Sequence, residues 1–206
     1  MRIGKEAEKL LKENVNQNES CSLCRESAYK VGEKTGYGAV IFKIGNKNNG
    51  WFATLSPQTG GSPKSDFTIQ LMPISHLTHF SQIDSYRGMA KNFGVSFSKV
   101  CRAMTMILMQ NEGLLSNAKE KRLSVPVASY GKCTTWEEKK EHLHIKVFPF
   151  RGNIGQPYTV DSSFGKKEVF VDKTGKEFVK MVPVKKTQIS KKRFDRLARS
   201  LIKLLK

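Results

Sequence analysis

Four cysteines and four histidines carry the most specific chemistry in this 206-residue chain, and they are few enough for their positions to matter. Two cysteines form Cys21-Ser-Leu-Cys24. The histidines come as two close sets, His76/His79 and His142/His144, while Cys101 and Cys133 stand alone. A C-x-x-C loop points two thiolates at one tetrahedral metal, and zinc takes nitrogen and sulfur ligands. A redox dithiol and two incidental cysteines compete with that reading. A redox motif is expected at the start of a helix within a βαβ unit, and the sequence shows none. With no second C-x-x-C, a four-ligand site has to draw on the distant histidines. His142 and His144, at i and i+2 of a strand, share a face with their rings roughly 6–7 Å apart. That spacing suits two ligands of one metal, or one ligand beside a reactive base or nucleophile. Alternation with Leu143, Ile145 and Val147 turns the histidine face away from the buried one.

The elements that must position these residues are legible in outline. GKEAEKLLKEN (4–14) reads as a charged helix. GAVIFKI (38–44) and WFATLS (51–56) read as strands around an Asn/Gly-rich turn. PQTGGSPKS (57–65) is a loop, and DFTIQLMP (66–73) a third strand with Phe67, Ile69 and Leu71 inward. Within 85–110, Met89, Phe93, Phe97, Val100, Cys101, Met104, Ile107 and Leu108 recur at helical spacing and form a core stripe. RLSVPVASYGK (122–132) is a strand that Pro126 pushes toward an edge. HLHIKVFPF (142–150) is a further strand. A hairpin follows around Asp172 to Gly175, and SKKRFDRLARSLIKLLK ends the chain as a helix with Ser190 as its N-cap. The fold class is α+β: a mostly antiparallel sheet, one long helix, and a basic C-terminal hairpin plus helix. We expect one domain at 1–164 and a C-terminal extension at 165–206.

The net charge is +18. Residues 165–206 hold 14 basic and 4 acidic side chains, more than half of that excess. Such a field attracts phosphate polyanions, so nucleotides, nucleic acid or an anionic surface are the expected partners. A solubilising tail accounts for the charge equally well. The longest apolar run, near Met104 to Met109, is far short of the ~20 residues of a membrane span. The charged first fifteen residues lack a signal peptide's apolar stretch, so no membrane and a cytoplasmic location are expected.

Taken in order, Cys21-x-x-Cys24, Pro73-Ile-Ser-His76, the long helix and His142-Leu-His144-Ile-Lys146-Val-Phe resemble the histidine triad (HIT) superfamily over about residues 21–152. Its branches include nucleotide hydrolases and nucleotidyl transferases. The resemblance implies a HIT-like sheet with a short zinc-bound N-terminal segment. Its structural Zn2+ would be held by Cys21, Cys24, His76 and His142, with His79 the competitor for His76. It also implies that His144 attacks the α-phosphorus of a nucleotide or nucleotide conjugate to form a nucleotidyl-histidine. A neutral imidazole is a competent nucleophile at pH 7. Lys146 stands where the third histidine belongs; it can contact phosphate as a point charge but not shuttle protons near neutrality. The transferase branch has Gln there. Trp136-Glu-Glu-Lys-Lys-Glu141 replaces a Gly-Gln-Ser/Thr stretch, and Ser56 stands where Asn usually precedes Pro. Ser56, Lys132, His142 and Lys146 are the expected substrate contacts, and a homodimer through the long helix is implied. Trp51 and Phe52 could stack a base or pack in the core. Gly60-Gly61 permits close backbone approach to a ligand. Two rivals remain: a nucleotide- or RNA-binding module without turnover, and a zinc-stabilised protein whose C-terminal helix docks on a partner.

Overall fold

The apolar runs at 38–44 and 51–55, joined by the Asn/Gly-rich turn, build an antiparallel hairpin, and the sheet grows from it. The computed structural model describes residues 21–111, 125–130, 142–150, 166–182 and 186–206. The expected helix at 4–14, Lys132, Cys133 and the acidic run at 136–141 lie outside the described residues. β1 (Lys34–Thr35), β2 (Gly38–Ile44), β3 (Trp51–Leu55), β5 (Ile69–Pro73), β6 (Val125–Tyr130) and β7 (Ile145–Phe150) form one antiparallel sheet in the order β1-β2-β3-β5-β7-β6. Pro126 does sit on an edge strand, where its missing N–H costs least.

One face is apolar. Trp51, Ala53, Leu55, Ile69, Leu71, Ile145 and Val147 pack under Met89, Val100, Met104, Ile107 and Leu108 of α2 (Met89–Asn111). The Trp51 indole N–H donates to the Met89 carbonyl at 3.1 Å. Trp51 and Phe52 are wholly buried, so they are core residues and not stacking platforms. The 3-10 turn Phe80–Ser85 ends at the extended Tyr86, and α2 starts at Met89, directly after Gly88 in a left-handed conformation with φ +83°.

The C-terminal helix α3 (Lys191–Leu205) lies beside α2 and β2. Phe194, Leu197, Ala198, Leu201 and Leu205 are buried in the main core. This corrects the docking alternative: the apolar face of the helix is spent on the chain's own sheet. Ser190 occupies the N-cap position, but its side chain makes no capping bond. Arg193 anchors that end instead, donating Nη1 to the Asp66 carbonyl at 2.8 Å, and Lys99 donates to the terminal carbonyls of Leu205 and Lys206. Leu201→Ala should cost about 2–5 kcal/mol, the range for a fully buried leucine. The reading is a lower urea midpoint at unchanged m.

Local chemistry overrides the pattern in two places. Asp66 accepts from the Ser62 N–H at 2.8 Å and the Ser65 hydroxyl at 3.1 Å, holding 62–66 as a turn and delaying β5 to Ile69. The expected loop 57–65 contains a two-residue strand, β4 (Gln58–Thr59), paired with β10 (Thr187–Gln188). The expected hairpin is present as β8 (Lys166–Val171) and β9 (Glu177–Val182), with Asp172 closing its turn by accepting from the Thr174 and Lys176 N–H groups. Among the described residues no helix is long and apolar enough to cross a membrane.

Candidate functional site

Helix α1 (Ser22–Glu26) is a single turn whose N-cap, Cys21, makes no side-chain capping bond. Such a turn is not stable alone. Leu23 anchors it against Phe52, Met72 and Ile74 on the sheet face opposite α2. The Lys43 ammonium donates to the carbonyls of Ser27 and Tyr29 just beyond it. The other attachment is through Cys21 and Cys24, on the same side of the turn.

His76 follows the end of β5 and His142 precedes β7. The two segments are joined by the Leu143 N–H donating to the Leu77 carbonyl at 2.6 Å. That bond diverts residues 142–144 from the ladder, which is why β7 begins at Ile145 and not at His142. His142 is buried all the same, against Cys21 and Cys24 of the turn that covers its side of the sheet, while Leu143 joins the main core. Cys21, Cys24, His76 and His142 are all buried, and one ligand atom from each lies within 4.8 Å of every other.

The geometry fits one tetrahedral ion. With sulfur at about 2.3 Å and nitrogen at about 2.1 Å from a common metal, the sulfur–nitrogen separation is about 3.6 Å. Cys24 Sγ lies 3.3 Å from His76 Nδ1 and 3.4 Å from His142 Nδ1, and Cys21 Sγ lies 3.7 Å from His142 Nδ1. The His142 Nε2–H donates to the Pro73 carbonyl at 2.8 Å, which leaves the Nδ1 lone pair facing the thiols. Burial, partly offset by the Pro73 bond and reinforced by His76 and His144, lowers the His142 pKa to about 4. The ring is thus neutral near pH 7, the form that ligates. These residues are positioned to bind a metal ion.

His79, the alternative to His76, is occupied elsewhere. Its Nδ1 accepts from the Ser81 N–H in a capping box with Gln82, at the start of the 3-10 turn. We expect His76→Ala to lose the metal, whereas His79→Ala should keep it and cost only about 1 kcal/mol as a lost cap. Metal content by mass spectrometry and a melting curve separate the two.

His144 and Lys146 flank Ile145 and are half-buried. The His144 Nδ1–H donates to the His142 carbonyl at 3.0 Å, so the neutral ring carries its lone pair on Nε2. Lys146 pairs with Gln70 in the β5–β7 register. It lines an open pocket of about 320 Å³ together with Ser56, Thr59, Thr68, Gln70, Lys186 and Gln188. The Ser56 hydroxyl donates to the Gln58 carbonyl at 2.8 Å, holding the loop that forms one wall. Among the described residues the lining contains two lysines and no acid. Behind Gly36, another lining residue, is the buried carboxylate of Glu26. Lys132, the remaining expected contact, lies outside the described residues.

Sequence reasoning missed Thr68, Gln70, Lys186 and Gln188. The first two were discoverable, as the polar partners of Phe67, Ile69 and Leu71 in the alternation. Gln188 lies on β10 and Lys186 just before it, and two residues carry no periodicity. Comparison with protein-family models, with curated proteins and with solved structures gives no match.

Proposed function

We propose that the chain is a HIT-like nucleotide hydrolase or nucleotidyl transferase with a structural zinc ion held by Cys21, Cys24, His76 and His142. The observation that carries this reading is the bond from the His144 Nδ1–H to the His142 carbonyl. It fixes the tautomer whose Nε2 is nucleophilic, and it ties that ring to a residue of the metal centre. The zinc, when bound, fixes the strand that aims His144 and takes no part in the reaction.

His144 Nε2 attacks the α-phosphorus of a nucleotide conjugate. The nitrogen–phosphorus bond forms as the bond to the leaving oxygen breaks, and that oxygen takes a proton from solvent. The ring becomes cationic, and the His142 carbonyl opposite its Nδ1–H stabilises that charge. Lys146 faces the negative charge gathering on the phosphoryl oxygens. Water then cleaves the nitrogen–phosphorus bond, releasing nucleoside monophosphate and neutral His144; an acceptor hydroxyl in place of water gives transfer.

The test is a panel of dinucleoside polyphosphates, nucleotide sugars, nucleoside phosphoramidates and adenylated oligonucleotides, assayed for nucleoside monophosphate by chromatography. Release from any of them supports the reading. A folded, metal-loaded protein that releases none overturns it. Among the described residues the pocket lining holds no His, Asp or Glu, which favours one second reading, a nucleotide-binding module without turnover. Nucleotide binding without release would establish that reading.

A further inference from the structure

Five exposed cations of helix α3 and its C-terminal cap lie on one line. Lys192, Arg196, Arg199, Lys203 and Lys206 are all exposed and follow one another at intervals of four, three, four and three residues. At about 100° per residue they fall within an arc of roughly 80°. Phe194, Leu197, Ala198, Leu201 and Leu205 fill the opposite side and are buried. Packing against α2 and β2 therefore fixes the rotation of the helix, and the cations are held toward solvent.

The stripe extends over about 21 Å of helix axis. The acid in its midst, Asp195, is already engaged: Lys34 lies 2.7 Å and Lys191 3.0 Å from its carboxylate oxygens. Like charges at i,i+3 and i,i+4 destabilise a helix, and solubility alone is best served by mixed signs. A one-signed line on a rigid element is suited to a polyanion that supplies the opposite charges.

We propose that the exposed face of α3 is a binding surface for the phosphodiester backbone of a nucleic acid. Phosphates recur every ~3.4 Å of axis along one strand, so a 21 Å line of five cations faces about three to five of them. Arginine can grip a phosphate with two N–H groups, and lysine acts as a point charge. Such contacts set affinity and register without reading sequence. An anionic membrane suits the same charges less well. An interfacial helix inserts its apolar face into lipid, and that face of α3 is already in the protein core.

The test uses the full chain and fluorescein-labelled oligonucleotides of about 20 nucleotides, single-stranded and duplex, at about 0.05–0.2 M KCl. Binding is read by fluorescence anisotropy. Lys192→Gln/Arg196→Gln/Arg199→Gln neutralises the stripe with a good helix former. Lys47→Gln/Lys64→Gln/Lys173→Gln removes the same charge from exposed positions elsewhere. Each phosphate contact contributes about −0.7 to −0.9 to the slope of log affinity against log salt. The stripe variant should therefore lose about 2–3 units of slope and roughly fiftyfold or more in affinity near 0.15 M KCl. The control should stay within about threefold of wild type, with both variants melting as wild type does. Equal losses in the two variants would reduce the effect to net charge and overturn the proposal. So would stripe-dependent binding to phosphatidylserine vesicles with no binding to either oligonucleotide.

Discussion

Cys24→Ser should strip the protein of its metal ion and lower its melting temperature by about 8–16 °C. Cys24 is the most informative ligand because its sulfur meets both histidine Nδ1 atoms, at 3.3 and 3.4 Å. Serine keeps the size, but its hydroxyl does not ionise near neutrality and is a poor ligand. With free metal at a thousand times its dissociation constant, the ion contributes about 4 kcal/mol to stability. For a chain of about 200 residues each kcal/mol shifts the midpoint by about 2–4 °C. The loss falls first on α1, a single turn without a side-chain cap, and on the small cluster of Leu23, Phe52, Met72 and Ile74 that it covers. Elemental analysis should find one ion per wild-type chain and almost none in the variant. A chelator should reproduce the shift in wild type and leave the variant unmoved. Equal metal content in the two proteins would sink the assignment of the centre.

His144→Ala should abolish turnover of the best nucleotide conjugate by about 10⁴–10⁶-fold, the scale for losing a covalent nucleophile, while the fold and the metal survive. His144 is half-buried and bonds to a backbone carbonyl, so its removal leaves solvent able to reach that oxygen. Substrate affinity should change little, because the contribution of the ring is made in the transition state. A quenched wild-type reaction with labelled substrate should carry label on the protein in an acid-labile, alkali-stable bond, as a phosphorus–nitrogen bond requires. Lys146→Gln should cost less, about 10²–10³-fold, since it removes one charged donor and not the nucleophile. A His144→Ala enzyme as active as wild type would end the covalent mechanism.

The parts of this molecule that could be read from sequence are those governed by period. The stripe of α2 and the apolar face of α3 follow from helical spacing, although Phe93, Phe97 and Cys101 are only partly buried, and strands 38–44 and 51–55, largely buried on both faces, follow from their apolar runs about a turn. The metal-ligand set needed more than period. Cys21 and Cys24 announce themselves by adjacency, but the choice of His76 over His79 depends on a cap formed by Ser81 and Gln82, a local bond with no pattern in the chain. The approach of His142 to His76 is held by the Leu143–Leu77 bond, which links residues far apart in sequence. The pocket was least legible. Its wall comes from β4 and β10, two-residue strands too short to show a period, the second just before the point where Arg193 anchors α3.

That anchoring bears on how the protein is made. Phe194, Leu197, Leu201 and Leu205 complete a core that Ala39, Ile41 and Phe42 of β2 begin. During synthesis the sheet therefore emerges with an uncovered apolar flank, and it stays uncovered until the ribosome has passed residue 205. The nascent sheet has to be shielded until that helix has been made.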